Sequence, residues 1–313
     1  MKMTIKKKYL LFAAAALTLA ACSNDDENLN GGPVAAQVTA GIGGVQTCAS
    51  GTTWDSGDAI GISTIGSTLT SYANMKYTTS GDGNFTHAAD LGGEDSGMFF
   101  QDADETVTFR AYYPFHGNEY TDAGTISDVT TDDQTMQSTF DFLFATGATA
   151  SKSSPTVSFN NTVKENTSFT HRMSRLVLNF IAGPDVNLAD LSKYTLSGLS
   201  ITGSFNTATG EAKATGTASD LTMDAAYITS SSSSLILFPQ AVADAVLKVE
   251  LGGQNYTATL TFPKANAVQG LESGYSYKYN VTIYKEELNI TEANIEPWVD
   301  ASVENDGNVD ATI

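Results

Sequence analysis

Three kinds of side chain in this sequence could do chemistry: two thiols, three imidazoles and several closely spaced carboxylates. Cys22 has the clearest assignment. It stands directly after Leu19-Ala20-Ala21, at the end of an apolar run over 9–21 interrupted only by Thr18 and preceded by Lys2, Lys6, Lys7 and Lys8. A run of that length is too short to cross a hydrocarbon core, which takes about 20 helical residues, so it reads as a removable signal segment over 1–21. Small residues before the cysteine open the bond to a dedicated peptidase, and Cys22 is the expected lipid attachment residue. An ordinary signal peptide cut at the same place would leave Cys22 as an unmodified thiol.

With Cys22 acylated, Cys48 is the one remaining thiol, so an intrachain disulfide and a cysteine zinc site are both excluded. Cys48 is the candidate position for processing or an intermolecular cross-link; a buried small apolar residue is the plainer reading. His87, His116 and His171 share no metal-ligand spacing. Gly93-Glu94-Asp95-Ser96-Gly97 lacks the Gly-x-Ser-x-Gly elbow and reads as a turn. The clusters Asp102-Ala103-Asp104-Glu105 and Thr131-Asp132-Asp133 suggest calcium or a glycosidase carboxylate pair. Neither has the Asp-x-Asp-x-Asp-Gly pattern, and solvated turns account for them. No residue is assigned to catalysis, a metal or a cofactor, and the chain is expected not to be an enzyme. Tyr72, Tyr77, Tyr112, Tyr113 and the tyrosines of 275–284 form either a platform for sugar rings or the packing of strands; a β-sandwich needs them as packing.

The elements that must carry these residues are strands. The 313 residues hold 16 Lys plus Arg against 35 Asp plus Glu, a formal charge of −19, and a pI near 4.3 leaves nothing to hold a phosphate backbone, which excludes nucleic acid as a partner. Losing residues 1–21 removes four lysines and no acid, so the remaining chain is more acidic still, and its membrane contact is expected to be the lipid rather than adsorption. Residues 22–36, polar and Gly-Gly-Pro punctuated, read as a flexible tether. Beyond it, short period-two segments alternate with Gly, Asn, Asp and Ser clusters. The clearest strands are 59–63, 106–113, 176–181, 194–201, 235–238, 245–251, 256–262 and 275–284. Val107, Phe109, Ala111 and Tyr113 share one face. Pro114, Pro239 and Pro263 close strands, and Ser230 to Ser234 read as a loop. The Ser-, Thr- and Asn-rich stretch 145–168 places a domain boundary near 160, giving sandwiches over 37–160 and 161–313 with antiparallel pairing.

Several segments together resemble the fimbrillin family: Leu19-Ala20-Ala21-Cys22, 54–62 (WDSGDAIGI), 109–114 (FRAYYP), 169–176 (FTHRMSRL), 235–240 (LILFPQ), Gly274-Tyr275-Ser276-Tyr277 and Ile295-Glu296-Pro297-Trp298. The resemblance implies two tandem transthyretin-like antiparallel β-sandwich domains. It also implies export as an outer-membrane surface lipoprotein, other fimbrial subunits as partners, a host protein or glycan receptor, and a role in adhesion or biofilm formation. Asp25-Asp26-Glu27 resembles the export tag of surface lipoproteins in the Bacteroides group. In such subunits a protease cuts after a basic residue near the start of the first domain, its first strand leaves, and a neighbour's strand fills the groove by β-augmentation. This chain departs from that scheme, because no Lys or Arg lies between Lys8 and Lys76, and Thr47-Cys48-Ala49 stands where related chains show Thr-Arg-Ala. The tail after Trp298 alternates only at Val309, Ala311 and Ile313 and makes a weak donor strand. The alternative is a glycan-binding surface lipoprotein of a nutrient-uptake locus, which shares leader, acidity and sandwiches.

Overall fold

A computed structural model describes residues 32–43, 53–87, 97–162, 165–267, 269–291 and 293–298. Its elements are strands, with three short 3-10 helices between them. The chain is all-β. Eight strands of the first half form one curled sheet in the order Thr156–Phe159, Gln37–Ala40, Asn84–His87, Met75–Thr79, Ala59–Ile65, Thr106–Tyr113, Leu143–Ser151 and Thr170–His171. Alternation drives the burial. Val107, Phe109, Ala111 and Tyr113 turn into one core with Ile60, Ile62, Met75, Tyr77 and Phe85, while Tyr112 is buried on the opposite face in a different cluster.

The stretch 145–168, which the sequence offered as the join, is strand for much of its length: 145–151 and Thr156–Phe159 lie in the first sheet, and Asn161–Thr162 pairs with Glu165–Asn166 as a separate ribbon. Its small residues hide the strands from a reading by size. Ala145, Ala148 and Ala150 are core residues packed beside Phe109 and Phe100, and Gly147, at φ +91°, is the extra residue where the register slips between Phe109 and Arg110. The change from one sheet to the next falls between His171 and Ser174, further along than 160.

In the second half, a five-stranded sheet contains Ser232–Leu237, Ser174–Ala182 and Tyr275–Ile283. Leu288–Ile290 and Asn294–Pro297 both pair with the last of these. It packs on a four-stranded sheet of Ser219–Asp224, Leu191–Leu199, Asp244–Leu251 and Gln254–Thr261. Leu176, Leu178, Phe180, Tyr277, Tyr279 and Val281 face Tyr194, Leu196, Leu247 and Val249 across the layer. The serine loop is shorter than expected: Ser232, Ser233 and Ser234 already pair with Asn179, Leu178 and Val177. Their hydroxyls explain why the segment is polar, since Ser233 meets the buried Tyr194 hydroxyl at 2.5 Å and Ser232 donates to Asn179 at 2.9 Å.

Among the described strands most pairings are antiparallel and two are parallel, Gln37–Ala40 with Thr156–Phe159 and Ser174–Ala182 with Tyr275–Ile283, and the isolated bridge Ile42–Phe169 is parallel as well. Both parallel ladders join strands more than a hundred residues apart, a separation at which no hairpin dictates direction.

A third sheet ties the two halves together. Thr125–Thr130 pairs with Thr202–Asn206, which pairs in turn with Glu211–Ala214. Under it lies a cluster drawn from both halves, including Tyr112, Phe142, Phe144, Phe205, Phe238 and Trp298. Beside it the buried Gln134 side chain donates to the Ile236 carbonyl at 3.0 Å and accepts from the Ile236 N–H at 2.9 Å. Gln134→Ala leaves both backbone groups unpaired in a dry site and is expected to cost about 1–3 kcal/mol by urea denaturation.

The tyrosines make the interior sensitive to alkali. Burial raises the Tyr112 and Tyr277 hydroxyls to about 12, and it pushes Tyr113, Tyr194 and Tyr279 up as well. The unfolded chain releases these protons near pH 10 and the folded chain does not, so stability is intact below about pH 10 and falls as pH rises toward 12. Phenolate absorbance is expected to lag behind that of free tyrosine until unfolding, then to rise together with loss of circular dichroism.

Candidate functional site: the first strand and its groove

The first strand of the eight-stranded sheet in chain order, Gln37–Ala40, is held along both edges. Gln37–Ala40 runs parallel to Thr156–Phe159 on one side, and on the other Val38 and Thr39 face Phe85 and Asn84. Outside the regular ladder, Ala36 N donates to Met98 O at 2.8 Å, Gln37 N to Pro155 O at 2.9 Å and Ala40 N to Gly83 O at 2.9 Å. Gly43 N donates to Phe169 O at 2.7 Å, and Phe169 N returns to Gly41 O at 3.0 Å. Ahead of this strand Val34–Ala35 pairs with Phe99–Phe100. Only Val38 and Ala40 put buried apolar side chains inward, while Gln37 is exposed. The attachment is therefore mostly main chain, and the walls of the slot (Phe85, Val157, Phe159) supply the large residues.

Trp54 closes the end of this slot. Its Nε1 donates to the Ala40 carbonyl at 2.8 Å, and its ring meets Phe85, Tyr113 and Phe169 edge-on at 5.1–5.5 Å. The turn that presents it is tied by Asp58, whose carboxylate accepts from Asp55 N at 2.8 Å and from the Tyr113 hydroxyl at 3.0 Å. Trp54→Phe keeps the ring packing and drops the clamp. Amide exchange at 38–43 is expected to quicken roughly five- to tenfold, the equivalent of one hydrogen bond, measured by hydrogen–deuterium exchange with mass spectrometry.

At the other end of the described chain, Trp298 is buried where the halves meet. Its ring stacks on His171 at 3.8 Å and 7°, the Arg175 guanidinium lies 5.8 Å from it, and His171 Nδ1 is 3.0 Å from Asp141 Oδ1. His87 is likewise paired, with Nε2 2.8 Å from Glu119 Oε1. Two of the three histidines thus have carboxylate partners that the sequence did not disclose, because each partner lies about thirty residues away. The pairs sit apart from each other, and among the described residues no three His, Cys, Asp or Glu converge as metal ligands.

The acidic clusters act as turns: Asp102 accepts from Asp104 N and Glu105 N, and Asp133 caps the short helix Gln134–Thr139 through Thr135 N. Tyr77, Tyr112, Tyr113, Tyr277 and Tyr279 are buried, and Tyr72 and Tyr275 are half-buried, so these candidates for a sugar platform serve as packing. Cys22, Cys48, the acidic residues 25–27, the turn residues 93–96 and the tail after Trp298 lie outside the described residues.

The described body is all-β, and the strand Gln37–Ala40 is held in its sheet along both edges, mostly through its main chain. A family model described as fimbrillin-like matches residues 47–298, and the chain belongs to that family. The provisionally named fimbrium subunit Fim1C of Bacteroides uniformis is 28% identical over 94% of this chain and 96% of its own. Among solved structures, a candidate cell adhesion protein of Bacteroides ovatus is 30% identical, covering 87% of this chain and 99% of that one, with a TM-score of 0.70. Another from Bacteroides uniformis is 26% identical over 86% and 100%, with a TM-score of 0.66.

Proposed function

We propose that this fimbrillin-like chain is a non-catalytic fimbrial subunit of the bacterial outer surface, held initially by lipid on Cys22. Its neighbours are other fimbrial subunits, joined by exchange at the slot now filled by Gln37–Ala40. The observation that carries this reading is the first strand itself: bonded on both edges, it contributes only two small buried side chains. Most of its attachment could be reproduced by any extended segment with small residues at alternate positions. The body divides, in this reading, into two transthyretin-like sandwiches.

Cys48 takes the place of a basic cleavage residue, so either another protease specificity frees the strand or it stays in place and the subunit sits at an end of the fimbria. The test is electrophoresis of material sheared from cells, with and without boiling and reductant. A ladder lost only on boiling is the expected result for strand exchange. Loss on reduction alone would replace exchange with Cys48 cross-links. A single band under every condition would rule out exchange in the polymer.

A further inference from the structure

The four-stranded sheet of the second half ends on one side at Gln254–Thr261, and no described strand pairs with the outer edge of this segment. Natural sheets blunt such edges with charge, proline, bulges or shortness. The opposite edge of the same sheet, Ser219–Asp224, carries Asp220 and Asp224 and a register slip. Gln254–Thr261 has none of these devices, being eight residues in unbroken register with Asp244–Leu251, without charge or proline, in a chain of net charge −19; its cover is partial, from Leu288–Ile290 alongside, the Tyr279 hydroxyl on the Thr261 carbonyl and the Tyr256 hydroxyl bonded to the Lys285 carbonyl.

The backbone of this strand has a fixed polarity. Phe262 N donates inward to Ala243 O at 2.7 Å, whereas the Thr261 carbonyl accepts from outside the sheet, from the Tyr279 hydroxyl at 2.7 Å. Alternation therefore turns the N–H and C=O groups of Asn255, Thr257 and Thr259 outward. All three residues are exposed.

We propose that this edge pairs antiparallel with the same edge of a second copy, about a twofold axis at Ala258. In that register Thr257 faces Thr259 as a hydrogen-bonded pair on outward groups, and Asn255 faces Thr261, whose carbonyl already accepts from the Tyr279 hydroxyl and offers only its second lone pair. Tyr256 faces Leu260 on the inner side. Alanine meets alanine at the non-hydrogen-bonded position, where the Cα atoms come closest, about 4.5 Å. A one-residue slip would set inward-facing residues against outward-facing ones and is excluded. A cleft of about 610 Å³ bounded by Thr259, Thr261, Pro263, Tyr279, Ile290 and Ala293 lies beside this end of the strand. Two strongly acidic bodies repel least where an uncharged edge meets an uncharged edge.

Sedimentation equilibrium of the full chain in reductant tests this, since reductant removes any contribution from Cys48. A concentration-dependent dimer is expected. Thr257→Pro removes an outward N–H and no bond within the sheet, and Thr259→Lys places charge on the edge; each is expected to weaken the dimer at least about tenfold with unchanged circular dichroism. Should the proline variant lose its fold, the lysine variant decides. Wild type that stays monomeric at every soluble concentration, or a dimer unaffected in the folded variants, overturns the proposal. A boiling-sensitive ladder retained by both variants belongs to exchange at the first strand, so the two readings fail separately.

Discussion

Phe205→Ala is expected to remove about 3–5 kcal/mol of stability, close to the upper range for a single aromatic deletion. The Phe205 side chain has no exposed surface. Its ring stacks on Phe142 at 4.4 Å with the planes parallel and lies 6.1 Å from Tyr112, so the residue joins a strand of the second half to packing contributed by the first. The site has little means of collapsing. Its own strand is pinned by Thr125–Thr130 on one side and Glu211–Ala214 on the other, so the void should persist and add its own cost. The same loss should uncouple the halves. Urea unfolding followed by Trp fluorescence and by circular dichroism should give coincident transitions for wild type and separated ones for the variant. Coincident curves with a shift under about 1 kcal/mol would mean that the third sheet does not couple the halves.

Trp298→Ala is the second large effect, again about 3–5 kcal/mol from the ring alone. Trp298 is 6% exposed and covers His171 and Arg175, both buried. Removing it admits water to the His171–Asp141 pair and takes the aromatic face away from the guanidinium. Trp298→Phe should restore part of the loss, because a smaller ring still stacks. Equal destabilisation by Ala and Phe would instead place the energy in the neighbouring strand Asn294–Pro297, which pairs with Tyr275–Lys278, and not in the ring.

What the sequence disclosed, and what it hid, follows one physical distinction. Thr106–Tyr113, Asp244–Leu251 and Tyr275–Ile283 were legible because large apolar residues alternate along them, a signal contained within each segment. Leu143–Ser151 was not, because its inward residues are alanines whose burial depends on Phe109 and Phe100 across the sheet. Thr202–Asn206 carries one large residue, Phe205, and owes its place to a partner from the other half of the chain. The same holds for the candidate site. The tryptophan turn at 54–58 and the end at Trp298 stood out as motifs. The clamp from Trp54 to Ala40 and the His171 pair with Asp141 are contacts between distant residues that composition and spacing do not encode.

The sheet shared by the two halves also sets a clock. Thr131 bonds to Ile201 across a separation of 70 residues, so Thr125–Thr130 reaches its partner only after that much more chain has appeared. Until then the strand waits with its pairing groups bare. During that interval the first half has its own core but lacks the cover for Ile126, Phe142 and Phe144. A chain interrupted before residue 202 should therefore be sticky in a way the finished protein is not, and a holding chaperone would find its surface at those three side chains.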